Sequence, residues 1–241
     1  MSTDDHTLSA LWDQVTGNQP APPGWLVLAT GAAALLTVLA RPLWHVARNA
    51  VTIAHEGGHG LVARLTGRKL AGIRLHSDTS GLTVSYGRPT GPGMVLTAAA
   101  GYTAPALLGL GCAALLAADR ITLLLWLAIA LLLALLLRIR NAFGLFVVLV
   151  AGGAFFLVSW FGSAEVQAGF AYLGCWFLLF GAVRPVLELQ HQRRIGWAQD
   201  SDADQLARLT HVPALAWVTV FLLVALACLA LGATWLLQPL H

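Results

Sequence analysis

The sequence predicts an all-α polytopic membrane protein of six to seven transmembrane helices with one small β-hairpin. Three observations carry this. Hydrophobic residues make up 58% of the 241 and charged residues only 10%, with a mean hydropathy of +0.74. Ordinary soluble domains are about 25% charged, so this chain cannot cover a water-facing surface, and its apolar content excludes intrinsic disorder. Apolar runs long enough to span a bilayer recur from Gly24 to the end. One polar segment among them, residues 47–66, is followed at once by a stretch that alternates apolar and polar residues. No polar stretch is long enough for a separate soluble domain, so residues 24–241 read as one membrane-embedded domain behind a tail of residues 1–23.

The tail carries Asp4, Asp5 and Asp13 and ends in Pro20, Pro22 and Pro23. It lacks the basic start and short apolar centre of a signal peptide and is expected to be disordered or to lie on the surface. Spanning the hydrocarbon core takes about 20 mostly apolar residues in a helix. Six runs are predicted to span on that ground: Gly24 to Ala40, Pro92 to Ala118, Ile121 to Leu137, Ala142 to Phe161, Gly169 to Leu187 and Pro213 to Leu237. Arg41-Pro42, Asp119-Arg120 and Arg138-Ile139-Arg140-Asn141 separate them. Residues 47–66, ARNAVTIAHEGGHGLVARLT, have helical length but score poorly. Ionisable groups at membrane depth are costly and mark function, so this segment reads as a seventh, hidden span.

Charge supports an orientation. With seven alternating spans and a cytoplasmic N-terminus, the inside loops hold eleven basic residues: Arg64, Arg68, Lys69, Arg74, Arg88, Arg138, Arg140, Arg184, Arg193, Arg194 and Arg208. The outside loops hold Arg41, Arg48 and Arg120. The bias obeys the positive-inside rule. The same dispersal of basic residues between apolar runs argues for a lipid bilayer as partner and against nucleic acid. Thirteen Arg to a single Lys, Lys69, is the usage of a GC-rich genome. The expected location is therefore a bacterial cytoplasmic membrane. Residues 70–76 and 81–87 alternate around the turn formers Ser77-Asp78-Thr79-Ser80, which reads as a β-hairpin spanning 70–87.

His55-Glu56-Gly57-Gly58-His59 is the pattern HExxH. Residues four apart share one face of a helix, so His55 and His59 can both offer an imidazole to one zinc ion. Glu56 stands beside them as a general acid/base. Zinc lowers the pKa of a water ligand to about 7, which makes a nucleophile available near neutrality. The bland alternative is a pair of polar helix residues matched to Arg48 or Arg64 in a water pocket. Gly57 and Gly58 each cost roughly 1 kcal/mol in a helix relative to Ala, which suggests close approach of another helix or of a substrate.

An HExxH in a membrane helix, followed by a hairpin and further spans, resembles the site-2 protease family of intramembrane zinc metallopeptidases, in its compact bacterial branch. The stretches that carry the resemblance are AHEGGHGLVARLTGRKLAGIRL (54–75), DTSGLTV (78–84), AAAGYTAPALLG (98–109), RNAFG (140–144) and SDADQLARLTHVPALAW (201–217). The resemblance implies Zn2+ as cofactor and a membrane-protein substrate cut in or near a transmembrane segment. It also implies a third, carboxylate ligand from a late helix. Better-known members carry that ligand in a Leu-Asp-Gly motif, which is absent here; Asp200, Asp202 and Asp204 are the replacements on offer, with His211 nearby. Ser201 and Asp204 form a capping box, which accounts for Asp204 and leaves Asp202. Asp202 is thus the expected third ligand and Asp204 the alternative. The rival function is a non-catalytic membrane protein of this fold that binds or retains partner membrane proteins. A metal-ion transporter would need ligands on more spans.

Other residues have plainer expectations. His45 is read as interfacial, and His76 and Asp78 as turn residues. Asn141 is read as a helix cap or as an orienting group. Cys112, Cys175 and Cys228 are read as small core residues. Trp25, Trp44, Trp160 and Trp235 are read as an aromatic belt.

Overall fold

Eight helices and one two-stranded sheet follow one another among the described residues, 17–197 and 200–238 of a computed structural model. They are α1 (Gly24–Leu39), α2 (Arg41–Leu65), β1 (Lys69–Leu75), β2 (Gly81–Tyr86), α3 (Pro92–Ala117), α4 (Ile121–Leu136), α5 (Ala142–Phe161), α6 (Ala164–Arg194), α7 (Asp202–Thr210) and α8 (Ala214–Leu236). Most of the expected tail, residues 1–16, lies outside the described part. The protein is an integral membrane protein. Four helices, α3, α5, α6 and α8, are each long and apolar enough to cross a membrane, and α1 with α2 qualify only as a pair bent by 102°. Length and composition alone thus support four or five spans and do not confirm the expected six to seven, because α4 has only 16 residues and α2 is too polar by itself.

The bend has a local cause. Pro42 in the first turn of α2 has no N–H to donate, so it starts a helix and cannot continue one. Ala40 is extended (φ −75°, ψ 115°) and its N–H closes α1 onto Leu36 O. Packing then shows which way each helix runs. Leu26 meets Gly169, Gly31 meets Trp176 and Val38 O accepts from Arg184, so α1 and α6 are parallel. Gly58 faces Ala100 and Ala104, and Thr66 faces Gly93, so α2 and α3 are antiparallel. Cys175 donates to Gly109 O, while Tyr102 and Pro185 line one cavity, so α3 and α6 are antiparallel. Seven alternating crossings would have set α1 against α6. The chain enters α2 beside the end of α1 and leaves it beside the start of α3, which lie at the same end of the bundle. Residues 47–66 therefore do not carry it to the other end, a correction of the expected hidden span. At the opposite end, Gln19 N–H donates to Asp119 O (2.9 Å) at the α3–α4 turn.

The hairpin has the expected strands within one residue. β1 and β2 pair antiparallel, with Ile73 opposite Thr83 and a bulge between Leu70 and Gly72. The outer edge of β1 is covered. Ile73 N–H donates to Arg138 O and Arg140 N–H donates to Ile73 O, both at 2.9 Å, in a parallel bridge centred on Ile139. Asn141 completes the clasp. Its Nδ2 donates to Leu75 O (2.6 Å) and its Oδ1 accepts from Leu75 N–H (3.2 Å). It sits at the start of α5 without a side-chain cap bond, so its role is to fasten a strand and not to cap a helix.

The main core lies between α1, α3, α4, α6 and α8 and includes Val27, Leu116, Leu125, Leu179 and Leu236. A second cluster around Val186, Leu189, Ala203, Leu206 and Phe221 seats the short amphipathic α7 between α6, α3 and α8. The outer faces are apolar: Phe146, Leu149, Leu157 and Phe161 of α5 are all exposed, as hydrocarbon contact requires. Trp25 and Trp160 are exposed as expected of a belt, whereas Trp44 is buried. Its indole N–H donates to Glu188 (3.1 Å), which corrects its assignment to the belt.

Candidate metal centre

The α2 residues that carry HExxH are continuous helix, so His55 and His59 fall one turn apart on one face. Their Nε2 atoms stand 3.2 Å apart. Asp202, in the first turn of α7, brings Oδ2 to 3.3 Å from His55 Nε2 and 3.2 Å from His59 Nε2. These three are the one group of His, Cys, Asp or Glu donors among the described residues that could hold a metal ion. The triangle is a test of fit. A tetrahedral zinc with bonds of about 2.0 Å has donor–donor edges of about 3.3 Å. The three edges here measure 3.2, 3.2 and 3.3 Å, so the donors fit zinc with one coordination position left over.

Neighbours set the orientation of the two histidines. His59 Nδ1 lies 2.7 Å from Thr97 O. A carbonyl only accepts, so Nδ1 holds the proton and Nε2 presents its lone pair to the centre. Tyr102 packs edge-on against the His55 ring at a centroid distance of 4.8 Å and stacks on Phe221 at 5.2 Å. Gly101 is required here, because a Cβ on it would collide with His59 and His55. Gly58 is required for a related reason: a Cβ would collide with Ala104 and come within 3.0 Å of Ala100 O. Of the two expected causes for the paired glycines, helix approach explains Gly58. Gly57 meets only Leu135, at 4.0 Å.

Glu56 is buried, and the hairpin closes over it. Thr83 Oγ1 donates to Glu56 Oε2 (2.5 Å) and lies 3.1 Å from Glu56 O. A Cβ on Gly81 would come within 2.5 Å of Glu56 Oε1, so only a glycine leaves that oxygen free. Thr52 Oγ1 donates to Thr79 O (2.8 Å) and pins the turn to α2. Thr79 takes φ 68° there. Asp78 accepts from Ser80 N–H and Oγ–H, at 2.9 and 2.6 Å, and His76 Nδ1 lies 3.2 Å from Ser80 Oγ. Both are turn residues, as expected. The Ser80 hydrogen bonds hold the Asp78 carboxyl below its ordinary pKa.

The late carboxylates separate cleanly. Ser201 caps α7 in a capping box with Asp204, and Asp204 also pairs with Arg193. Burial pushes the Asp204 pKa up, but the bonds from Arg193 and Ser201 more than offset it and hold the carboxyl below the usual range. Asp200 is exposed and pairs with Arg208 (3.2 Å). His211 ends α7 in the left-handed region (φ 60°). Neither His211 nor His45 joins the cluster.

Sequence reasoning missed three features of this region. Thr97 and Thr83 act through contacts far along the chain and carry no motif. The third is an ion network beside the site. Glu188 on α6 accepts from Arg184 Nε (2.8 Å), from Trp44 Nε1 (3.1 Å) and lies 3.3 Å from Arg48. Arg184 also sits over the Trp44 ring at 4.8 Å. A cavity of about 200 Å³ runs between α2 and the hairpin turn, with Arg48, Val51, Thr52, His55 and Glu56 along one wall and Thr79, Ser80 and Gly81 along the other.

No curated protein and no solved structure matches this chain. One family model does, described as Peptidase M50B-like, and it covers residues 28–232. That match takes in α2 to α7 whole, most of α1 and α8, the hairpin and all three donors, so the chain belongs to the Peptidase M50B-like group of the site-2 protease family.

Proposed function

We propose that the protein is an intramembrane zinc metalloprotease that hydrolyses peptide bonds in or near transmembrane segments of other membrane proteins. The observation that carries this is the 3.2–3.3 Å triangle of His55, His59 and Asp202 with Glu56 in the next position of the same helix. His55, His59 and Asp202 would hold the ion. Zinc would supply Lewis-acid polarisation and a lowered water pKa. Glu56 works at its Oε1 oxygen, which faces the empty side of Gly81, while Thr83 holds Oε2. From there it takes a proton from the attacking water and returns it to the leaving amine. Asp202 brings the negative charge that a buried cation needs. Its position favours a protease over a partner-retaining protein, since the missing Leu-Asp-Gly was the argument for the latter.

The substrate would bind as an extended strand. The outer edge of β1 is taken by Ile139, and the outer edge of β2 is open among the described residues. A strand added there satisfies the backbone groups exposed when a substrate helix unwinds. Orientation follows from the direction of the helices. If α1, α3, α4, α5, α6 and α8 cross and α2 does not, thirteen of the fourteen Lys and Arg residues fall at one face, with Arg120 alone at the other. This improves on eleven against three. The basic face is then cytoplasmic, the donors lie near it, and the N-terminus is on the opposite side, not the cytoplasmic side first expected.

The test is metal content and cleavage of a membrane-protein substrate by wild type and Glu56→Gln. The variant is expected to keep its zinc and to lose about 10²–10⁴-fold in rate. Equal cleavage by both would exclude Glu56 as the base.

A further inference from the structure

We propose that Arg48 forms an anion subsite that takes a substrate carboxylate three residues from the scissile bond. This rests on the protease reading for the word substrate, but not for its test. Arg48 lies seven residues before His55, two helical turns, and so on the same face. The α2 wall of the cavity confirms that stripe, because 48, 51, 52, 55 and 56 are its members. Two turns are about 10 Å of helix axis. An extended peptide rises about 3.3 Å per residue, so a chain lying along this wall from the donors reaches Arg48 with its third residue.

Charge balance argues for an anion there. Arg48 and Arg184 share the single carboxylate of Glu188, which leaves one positive charge uncompensated at a half-buried position, where such a charge is costly. Arg184 has further partners in Val38 O and the Trp44 ring. Arg48 has Glu188 alone among the described residues, at 3.3 Å, and its side chain keeps 33% of its exposure. It is also the one Lys or Arg lining the cavity. A guanidinium anchored on one side and open on the other is suited to a carboxylate. The class of substrate is a segment carrying Asp, Glu or a terminal carboxylate at that spacing.

Short apolar peptides ending in a hydroxamate test this directly. The hydroxamate chelates zinc and fixes the register, and Glu or Gln is placed at the second, third or fourth residue from it, in both chain directions. At the third residue, Glu should bind zinc-loaded wild type on the order of tenfold to a hundredfold more tightly than Gln, as a charge-assisted hydrogen bond supplies. The ratio should fall to near one in Arg48→Gln and be partly restored in Arg48→Lys. A ratio near one at every position in wild type overturns the subsite, as does a ratio that survives in Arg48→Gln or a series in which nothing binds. Binding needs no turnover, so a protein that binds with this preference but cleaves nothing would defeat the protease reading alone.

Discussion

Thr83 on β2 donates its hydroxyl hydrogen to the Glu56 carboxylate across 2.5 Å. The hairpin is thereby tied to the group proposed to move the proton, from a position 27 residues further along the chain. A hydrogen bond to a charged group contributes about 1.5–3 kcal/mol. Thr83→Val should therefore lower kcat/KM on the order of tenfold to a hundredfold with zinc content unchanged, and Thr83→Ser should restore most of it. Steady-state kinetics beside metal analysis measure both, and an unaltered kcat/KM in Thr83→Val would free Glu56 from this contact.

Asp202 and Asp204 sit two residues apart in α7 and face different partners. Asp202→Ala should lose zinc and all cleavage, since catalytic sites hold the ion with three protein ligands. Asp204→Ala should keep zinc and lose thermal stability by about 0.5–2 kcal/mol, the usual cost of a lost helix cap. Metal retention in Asp202→Ala with loss in Asp204→Ala would reverse the assignment.

Pairing along the open edge of β2 has a signature of its own. Alternate amides of an added strand point toward the edge and the rest point away. Cleavage of a peptide series carrying one N-methyl amide each should fall at every second position. A uniform response along the peptide would remove strand addition from the mechanism.

The direction of the helices can be read by labelling single cysteines from either side, in a background with Cys112, Cys175 and Cys228 replaced. Cysteines at Asn18 and Arg120 should react from one side of the membrane, and cysteines at Arg68 and Arg194 from the other. Reaction of the cysteine at Asn18 on the side of Arg68 would restore the seven alternating spans.

The sequence alone made part of this legible. HExxH reports a helix face because spacing within one helix is fixed by its pitch, and the hairpin shows because alternation and turn residues are local. Asp202 stood out once Ser201 and Asp204 had explained each other. What stayed hidden depends on distant pairs. Nothing near Thr97 announces that its carbonyl orients His59, nor does Asn141 announce a bond to Leu75. The path of α2 was misjudged because hydropathy measures the cost of a segment in lipid and not the angle at which it leaves its neighbour. Arg41-Pro42 marked the break, but not the 102° angle that α2 makes with α1 there.

That turn at Ala40 bears on how the molecule is made. If both ends of α2 lie at one face, as proposed, its polar residues Arg48, His55, Glu56 and His59 need not be threaded through the bilayer during synthesis. The donors on α2 and Asp202 on α7 are separated by more than 140 residues of chain, and Asp202 follows α6 in synthesis. The metal pocket therefore stays incomplete until α7 has been made, and no chain that stops short of Asp202 has a full set of ligands with which to hold an ion.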